Sequence, residues 1–257
     1  MQKEIETPKR SKIAIVTVTY NSEEFIVDFL VAVSQLESKN AEYQLFIVDN
    51  NSVDSTLAIV ENFATKNCDI ISLSIVGNSK NSGFGAGCNR GVTAAEIYSP
   101  DYIWFLNPDT KVDERAGCEL LNVIDNETDF VGSMLTDEHG DIRSGAFRFP
   151  RIGTALLSYA GLGVLDKMFS GAKNTYELGD LDKPVDWLTG ASFLVKQSAF
   201  CSLGGFDENY FLYFEEVDLF FRAKKSGFIA RSCPKSLVYH MSGASTGVKR
   251  NEKKLSR

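Results

Sequence analysis

The sequence predicts an α/β fold in which a mostly parallel sheet is wound on both sides by helices. Three observations carry the prediction. β-Branched apolar runs recur, segments of helical apolar spacing separate them, and the alternation persists to about residue 126. The 257 residues are 44% hydrophobic and 24% charged. That composition supports a sizeable core and excludes a disordered, collagenous or small disulfide-framed chain.

The elements follow in order. Lys12–Thr19 (KIAIVTVT) is a continuous apolar run that suits a parallel strand buried on both faces. Asn21 and Ser22 are placed to cap a helix over Glu23–Leu36, where Phe25, Phe29, Leu30, Val33 and Leu36 fall near helical spacing. Tyr43–Val48 (YQLFIV) reads as the second strand, Asp49–Asp54 as turn and cap chemistry, and Ser55–Ala64 as the next helix. Ile70–Val76 is the third strand, and the glycine-rich segment 77–91 leads into a helix reaching Tyr98. Asp101–Leu106 (DYIWFL) is the fourth strand, stopped by Asn107-Pro108.

Beyond residue 127 the pattern weakens. Asp129–Leu135 reads as a strand, Asp137–Asp141 (DEHGD) as a hairpin turn, Trp187–Val195 as a strand, and Glu215–Ser226 as a helix ended by Gly227. Residues 151–170 are apolar but interrupted by glycine. They fall short of the ~20 apolar residues that span a bilayer. With no repeat or linker-like break, residues 12–246 are expected to form a single domain, between a disordered segment 1–11 and a basic tail 247–257.

Thirty-four acidic and 27 basic residues give a net charge of −7. Residues 248–257 alone hold five basic groups and one acid, so the rest of the chain stands at −11. An acidic body lacks the basic excess of a nucleic-acid binder. Cys68, Cys88, Cys118, Cys201 and Cys233 are dispersed without a CxxC pair, as in reduced, cytoplasmic proteins. The opening MQKEIETPKRSK has no apolar signal-peptide core. The expectation is a cytoplasmic protein, with peripheral contact at the inner face of the cell membrane as a further reading.

Ligands of open parallel sheets sit beyond the carboxyl ends of the strands. Four predicted strands end in polar clusters there: Thr19-Tyr20-Asn21, Asp49-Asn50-Asn51-Ser52, Asn78 to Gly85, and Asn107-Pro108-Asp109-Thr110. One such cluster is ordinary turn chemistry, whereas four at one edge point to a binding site. GFGAGCNRG is not a dinucleotide fingerprint, because Cys88 stands where the third glycine belongs and the segment follows the third strand.

Six segments occur in a familiar order: TVTYN (17–21), IVDNNSVDST (47–56), NSGFGAGCNRG (81–91), WFLNPDT (104–110), WLTGASFLV (187–195) and GGFDENYFLYFEEVDLFFR (204–222). The pattern resembles the inverting glycosyltransferases of family 2, which have the GT-A fold. Among them it is most similar to the rhamnosyltransferase-like enzymes of bacterial surface polysaccharides. The resemblance implies a nucleotide-sugar-binding half over 12–126 and an acceptor and catalytic half over 127–246.

It further implies that Thr19, Tyr20, Asn21, Asp49, Asn51, Asn81, Gly83, Asn107 and Asp109 bind the nucleotide-diphospho-sugar, carried on UDP or dTDP. Tyr20 offers a face for stacking a base and Asp49 an acceptor for its imide N–H; the competing readings are a core-edge aromatic and a helix cap. Asn107-Pro108-Asp109 fills the DxD position, with a neutral Asn in place of the first acid. Asp109, with His240, is then the expected holder of Mg²⁺ or Mn²⁺; a structural role for His240 is the alternative. Glu215 and Glu216 align with the acidic pair that supplies the general base, and either one suits the role. Trp187, Thr189 and Gly190 match the acceptor side, where a saccharide or lipid-linked saccharide would bind. Asn107 keeps a catalytically inactive nucleotide-sugar-binding or assembly subunit in play. A nucleotidyltransferase would need a basic glycine-rich loop after the first strand, and TVTYNSEE has no Lys or Arg.

Overall fold

Ile13, Ala14, Ile15 and Val16 are all essentially buried, which is possible only for a strand covered on both faces. They belong to β1 (Ser11–Thr19), which lies between two parallel neighbours, β2 (Ala41–Asp49) and β4 (Tyr102–Leu106). The structure, a computed structural model, describes residues 10–137, 139–143, 145–149, 176 and 183–241. The remaining elements are α1 (Ile26–Ser34), α2 (Thr56–Lys66), β3 (Ser72–Gly77), α3 (Phe84–Ala95), β5 (Thr110–Val112), α4 (Ala116–Val123), β6 (Phe130–Thr136), β7 (Ile142–Arg143) and β8 (Ala146–Phe147). They continue with β9 (Trp187–Leu188), β10 (Ser192–Lys196), α5 (Gln197–Ser202), α6 (Glu215–Lys225) and β11 (Ala230–His240).

The main sheet runs β3-β2-β1-β4-β10-β6-β11-β5, with β7 paired to β6. Pairing is parallel among β1 to β4 and between β6 and β11, while β10 runs antiparallel between β4 and β6. The α/β class and mostly parallel sheet expected from the sequence are therefore observed. Thr19 pairs with Asp49, and Asp49 with Gly77, so the carboxyl ends of three strands stand level at one edge.

Alternate strand residues serve two cores. Ile13 and Ile15 pack with α1, α2 and α4 through Phe29, Leu30, Val60 and Leu120. Ala14 and Val16 pack with α3, α5 and α6 through Cys88, Val92, Phe200, Leu219 and Phe220. On that second face Phe105 touches Phe193, Phe200 and Phe206 at ring separations of 5.0–5.3 Å. Such pairs add about 0.5–1.5 kcal/mol each beyond the area they bury.

Several elements differ from expectation. Helix α1 starts at Ile26 without a side-chain cap, because Asn21 Oδ1 instead accepts from Val53 N–H (2.9 Å) and ties the first two loops together. Trp187–Val195 divides into β9 and β10 around Thr189–Ala191. β5, α4, α5 and β11 were not expected. β11 contains Pro234 and shifts register between Cys233 and Leu237, which hides its period in the sequence. A buried hydroxyl chain nevertheless locks this half: Trp104 Nε1 donates to Ser192 Oγ (3.0 Å), which lies 2.7 Å from Ser133 Oγ, itself 2.9 Å from Ser236 Oγ. The expected disordered start overlaps β1 at Ser11, and its residues 1–9 lie outside the described residues. The apolar stretch 151–170 and the tail 247–257 also lie outside them. Among the described residues, no helix is long and apolar enough to cross a membrane.

Candidate active site

A cleft of about 620 Å³ opens at the carboxyl edge of the sheet. It is lined by residues from the β1 end (Tyr20, Asn21), β2 end (Asn50), α3 approach (Asn81, Gly83), β4 end (Asn107, Pro108), the β9–β10 turn (Thr189, Gly190), the α6 approach (Phe211, Tyr213, Glu215, Glu216) and the β11 end (His240).

The β1–β3 side is a mesh of hydrogen bonds. Asp49 is buried and accepts from Thr19 Oγ1 (2.9 Å), Ser52 N–H (2.9 Å) and Ser52 Oγ (2.6 Å). Asn50 Nδ2 donates to Asn81 Oδ1 (3.3 Å) and to the Gly83 carbonyl (3.0 Å), and its Oδ1 accepts from Asn78 Nδ2 (2.6 Å). Asn51, the expected site residue, is exposed at φ 64 and outside the cleft lining. Asn50, the residue before it, lines the cleft instead. Tyr20 is 45% exposed and lines the cleft. Thr19 and Asp49 lie behind the lining.

The glycine-rich segment has a packing role. Gly83 has φ 92, and a Cβ there would collide with the Phe211 carbonyl oxygen, which accepts from Phe84 N–H at 3.1 Å. This close approach joins the start of α3 to the segment preceding α6.

At the β4 end, Asn107 N–H donates to the Ala191 carbonyl (3.0 Å) and Met241 N–H to the Asp109 carbonyl (3.0 Å). Asp109 is 1% exposed, and neither carboxylate oxygen has a hydrogen-bond partner. His240 Nε2 stands 3.4 Å from Asp109 Oδ1, and Asn107 Oδ1 is likewise buried and unpartnered. A buried carboxylate left this way is costly unless a cation faces it. Oxygen donors beside an imidazole suit a divalent metal, so the residues fit Mg²⁺ or Mn²⁺. Among the described residues, no cluster of three or more His, Cys, Asp or Glu is gathered that could hold a metal. Donors from outside these residues, such as water or a bound ligand, would have to complete the shell. The described cleft lining contains no Lys or Arg.

Glu215 and Glu216 open α6. They follow Tyr213 and Phe214, both at φ 68, a left-handed conformation that costs a non-glycine residue about 1–2 kcal/mol. Glu215 is 2% exposed with Oε2 unpartnered. Burial, then the charge of Glu216, pushes its carboxyl up to about 7. Glu216 is half-buried and accepts from Gly190 N–H (3.3 Å); burial raises its pKa as well. A Cβ on Gly190 would lie 3.1 Å from Glu216 Oε1. Groups raised in this way suit proton transfer near neutral pH.

Thr189 and Gly190 line the cleft, but Trp187 does not. Its ring stacks on Phe147 at 4.5 Å and its Nε1 donates to the Arg148 carbonyl (3.1 Å). The aromatics that reach the cleft are Tyr20, Phe84, Phe211 and Tyr213. Phe211, Tyr213 and Asn50 were not among the expected site residues. The unpatterned apolar run YFLYF before the acidic pair was the available signal.

The family model described as glycosyl transferase family 2 matches residues 14–151. The chain is 28% identical over 246 residues to the N-acetylglucosaminyl-diphospho-decaprenol L-rhamnosyltransferase of Mycobacterium tuberculosis, covering 91% of this chain and 77% of that protein. It is 27% identical to the rhamnosyltransferase WbbL of Escherichia coli, covering 83% and 77% respectively. Among solved structures it is similar to the mannosyltransferase PcManGT of Pyrobaculum calidifontis in complex with GDP-Man and Mn²⁺ (TM-score 0.63, 16% identity, 91% of this chain and 59% of that one). It also resembles Staphylococcus aureus TarS 1–349 in complex with UDP-GlcNAc (TM-score 0.62, 16% identity, 92% and 61%). The chain thus spans about three fifths of the length of those two structures.

Proposed function

The chain belongs to glycosyl transferase family 2, a glycosyltransferase of the GT-A fold, and we propose that it transfers a sugar with inversion from a nucleotide-diphospho-sugar to a saccharide acceptor. We take the donor sugar to be rhamnose, on UDP or dTDP, and the acceptor to be an amino sugar on a lipid diphosphate. The likeness to two rhamnosyltransferases, one named for such an acceptor, supports this choice. The observation that carries the reading is one cleft lined by both glutamates at the α6 start and by the β4-end and β11-end residues around the unpartnered Asp109 carboxylate.

In this mechanism Tyr20 stacks on the base and the Asn50–Asn81 mesh holds the loop against the nucleotide. Asp109 and His240 would hold a divalent cation, which when bound neutralises the charge gathering on the departing diphosphate. Glu216, accessible from the cleft and oriented by Gly190 N–H, takes the proton of the acceptor hydroxyl. The acceptor oxygen bonds to the anomeric carbon as the bond to the diphosphate oxygen breaks. The nucleoside diphosphate leaves, and no covalent sugar–enzyme bond forms. Initial rates of nucleotide-sugar turnover with Mn²⁺, with EDTA, and in Glu216→Gln and Glu215→Gln test the assignment. Loss with EDTA and in Glu216→Gln is expected; full activity in Glu216→Gln removes it as the base.

Asn107 in place of a carboxylate favours a second reading, a binder without turnover. Calorimetry showing nucleotide binding, with no transfer across a donor and acceptor panel, would establish it. A lipid-linked acceptor also calls for peripheral membrane contact at the cytoplasmic face, which liposome sedimentation tests.

A further inference from the structure

We propose that Phe211 and Tyr213 form an aromatic platform for the pyranose ring of the acceptor, an inference that rests on the glycosyl-transfer reading. The segment bearing them is fastened on its N-terminal side and at its middle. Asn89 of α3 donates to the Phe206 carbonyl (2.9 Å) and Glu208 Oε1 (3.0 Å), and accepts from Phe206 N–H (2.9 Å). Arg222 of α6 donates to the Leu203 (2.7 Å) and Gly205 (2.8 Å) carbonyls while Asp218 holds its Nε. Phe84 N–H fixes the Phe211 carbonyl at 3.1 Å.

A segment anchored this firmly still leaves Phe211 and Tyr213 each 57% exposed. Tyr213 does so from a left-handed backbone that aromatic residues disfavour. Exposed apolar rings and strained backbone together mark a surface shaped for a ligand. Its position names the ligand. Both rings line the cleft beside Glu215 and Glu216, so what lies on them is the molecule whose hydroxyl the carboxylates serve. The C–H face of a pyranose matches a flat apolar ring. Trp187, the aromatic expected for this task, is already stacked on Phe147. An anionic lipid surface is the weaker occupant, because residues 204–214 contain Asp207 and Glu208 and no Lys or Arg.

Saturation-transfer NMR tests the platform, with octyl β-N-acetylglucosaminide kept below its micelle-forming concentration and UDP or dTDP with Mn²⁺ present. In the unaltered protein, saturation is expected to reach the sugar-ring protons. It should fall about tenfold in Phe211→Leu and Tyr213→Leu, which keep apolar bulk for folding, and persist in Tyr213→Phe. Absent ring signals in the unaltered protein, or equal ring signals in the leucine variants, overturn the proposal. Saturation confined to the octyl chain also overturns it and points to a lipid-facing surface. Thermal shift by the nucleotide reads the other reading separately: if neither nucleotide shifts the unaltered protein, glycosyl transfer fails, whatever the NMR shows of the rings.

Discussion

The two walls of the cleft are satisfied to very different degrees. On the β1–β3 wall, Thr19, Asp49, Asn50 and Asn81 answer one another, and Asn78 Oδ1 is left unpartnered. Around the β4 end and the α6 start, the Asp109 carboxylate, Asn107 Oδ1 and Glu215 Oε2 have no hydrogen-bond partner, and Tyr213 and Phe214 sit in a left-handed backbone. The first wall is a closed hydrogen-bond network. The second holds unpaired charge and backbone strain, and functional sites are where proteins depart from local stability rules in this way.

The sharpest way to break the contrast is Glu216→Gln. It is expected to lower kcat by about 10²–10⁴ while nucleotide binding persists, since only a proton acceptor is lost. Next is Asp109→Ala, which should weaken Mn²⁺-dependent nucleotide binding about 100-fold, read by calorimetry with and without EDTA.

Glu215 supplies a stability test. Its carboxyl, raised from 4.5 to about 7, retains a proton in the folded state that the unfolded chain has released between those values. Stability therefore falls as pH rises through that window, by about 3 kcal/mol at full effect. Glu215→Gln should flatten the dependence, so its Tm advantage over the unaltered protein should be larger at pH 8 than at pH 4. A parallel pair of Tm curves would show that Glu215 does not carry this burden.

On the satisfied wall, Asn50→Ala strands three partners in the β3–α3 loop, Asn78, Asn81 and Gly83, and should cost about 1–3 kcal/mol, lowering Tm by roughly 2–4 °C per kcal/mol. Asn51→Gly, at an exposed left-handed position one residue on, should stay within about 0.5 kcal/mol and leave nucleotide affinity unchanged. Equal effects from the two would erase the distinction between them.

The first half was legible because its signals are local. KIAIVTVT and YQLFIV are buried on both faces and say so in their own residues. The insertion of β10 between β4 and β6 was not legible, since it depends on pairing residues such as Phe105 and Phe193 that lie far apart in the chain. β11 was hidden by Pro234 and its shift of register. In the cleft, polar strand ends announced the edge, but choosing Asn50 over Asn51 requires knowing which way one residue faces. Trp187 misled for a related reason: an aromatic beside a binding turn has a partner in Phe147 that sequence spacing does not reveal.

The most direct measurement is anomalous scattering from crystals of the full chain grown with Mn²⁺ and UDP or dTDP. A manganese peak within bonding distance of Asp109 and His240, with the nucleotide against Tyr20 and its diphosphate directed toward Glu216, is the expected result. A nucleotide bound elsewhere, or manganese remote from Asp109, would contradict it.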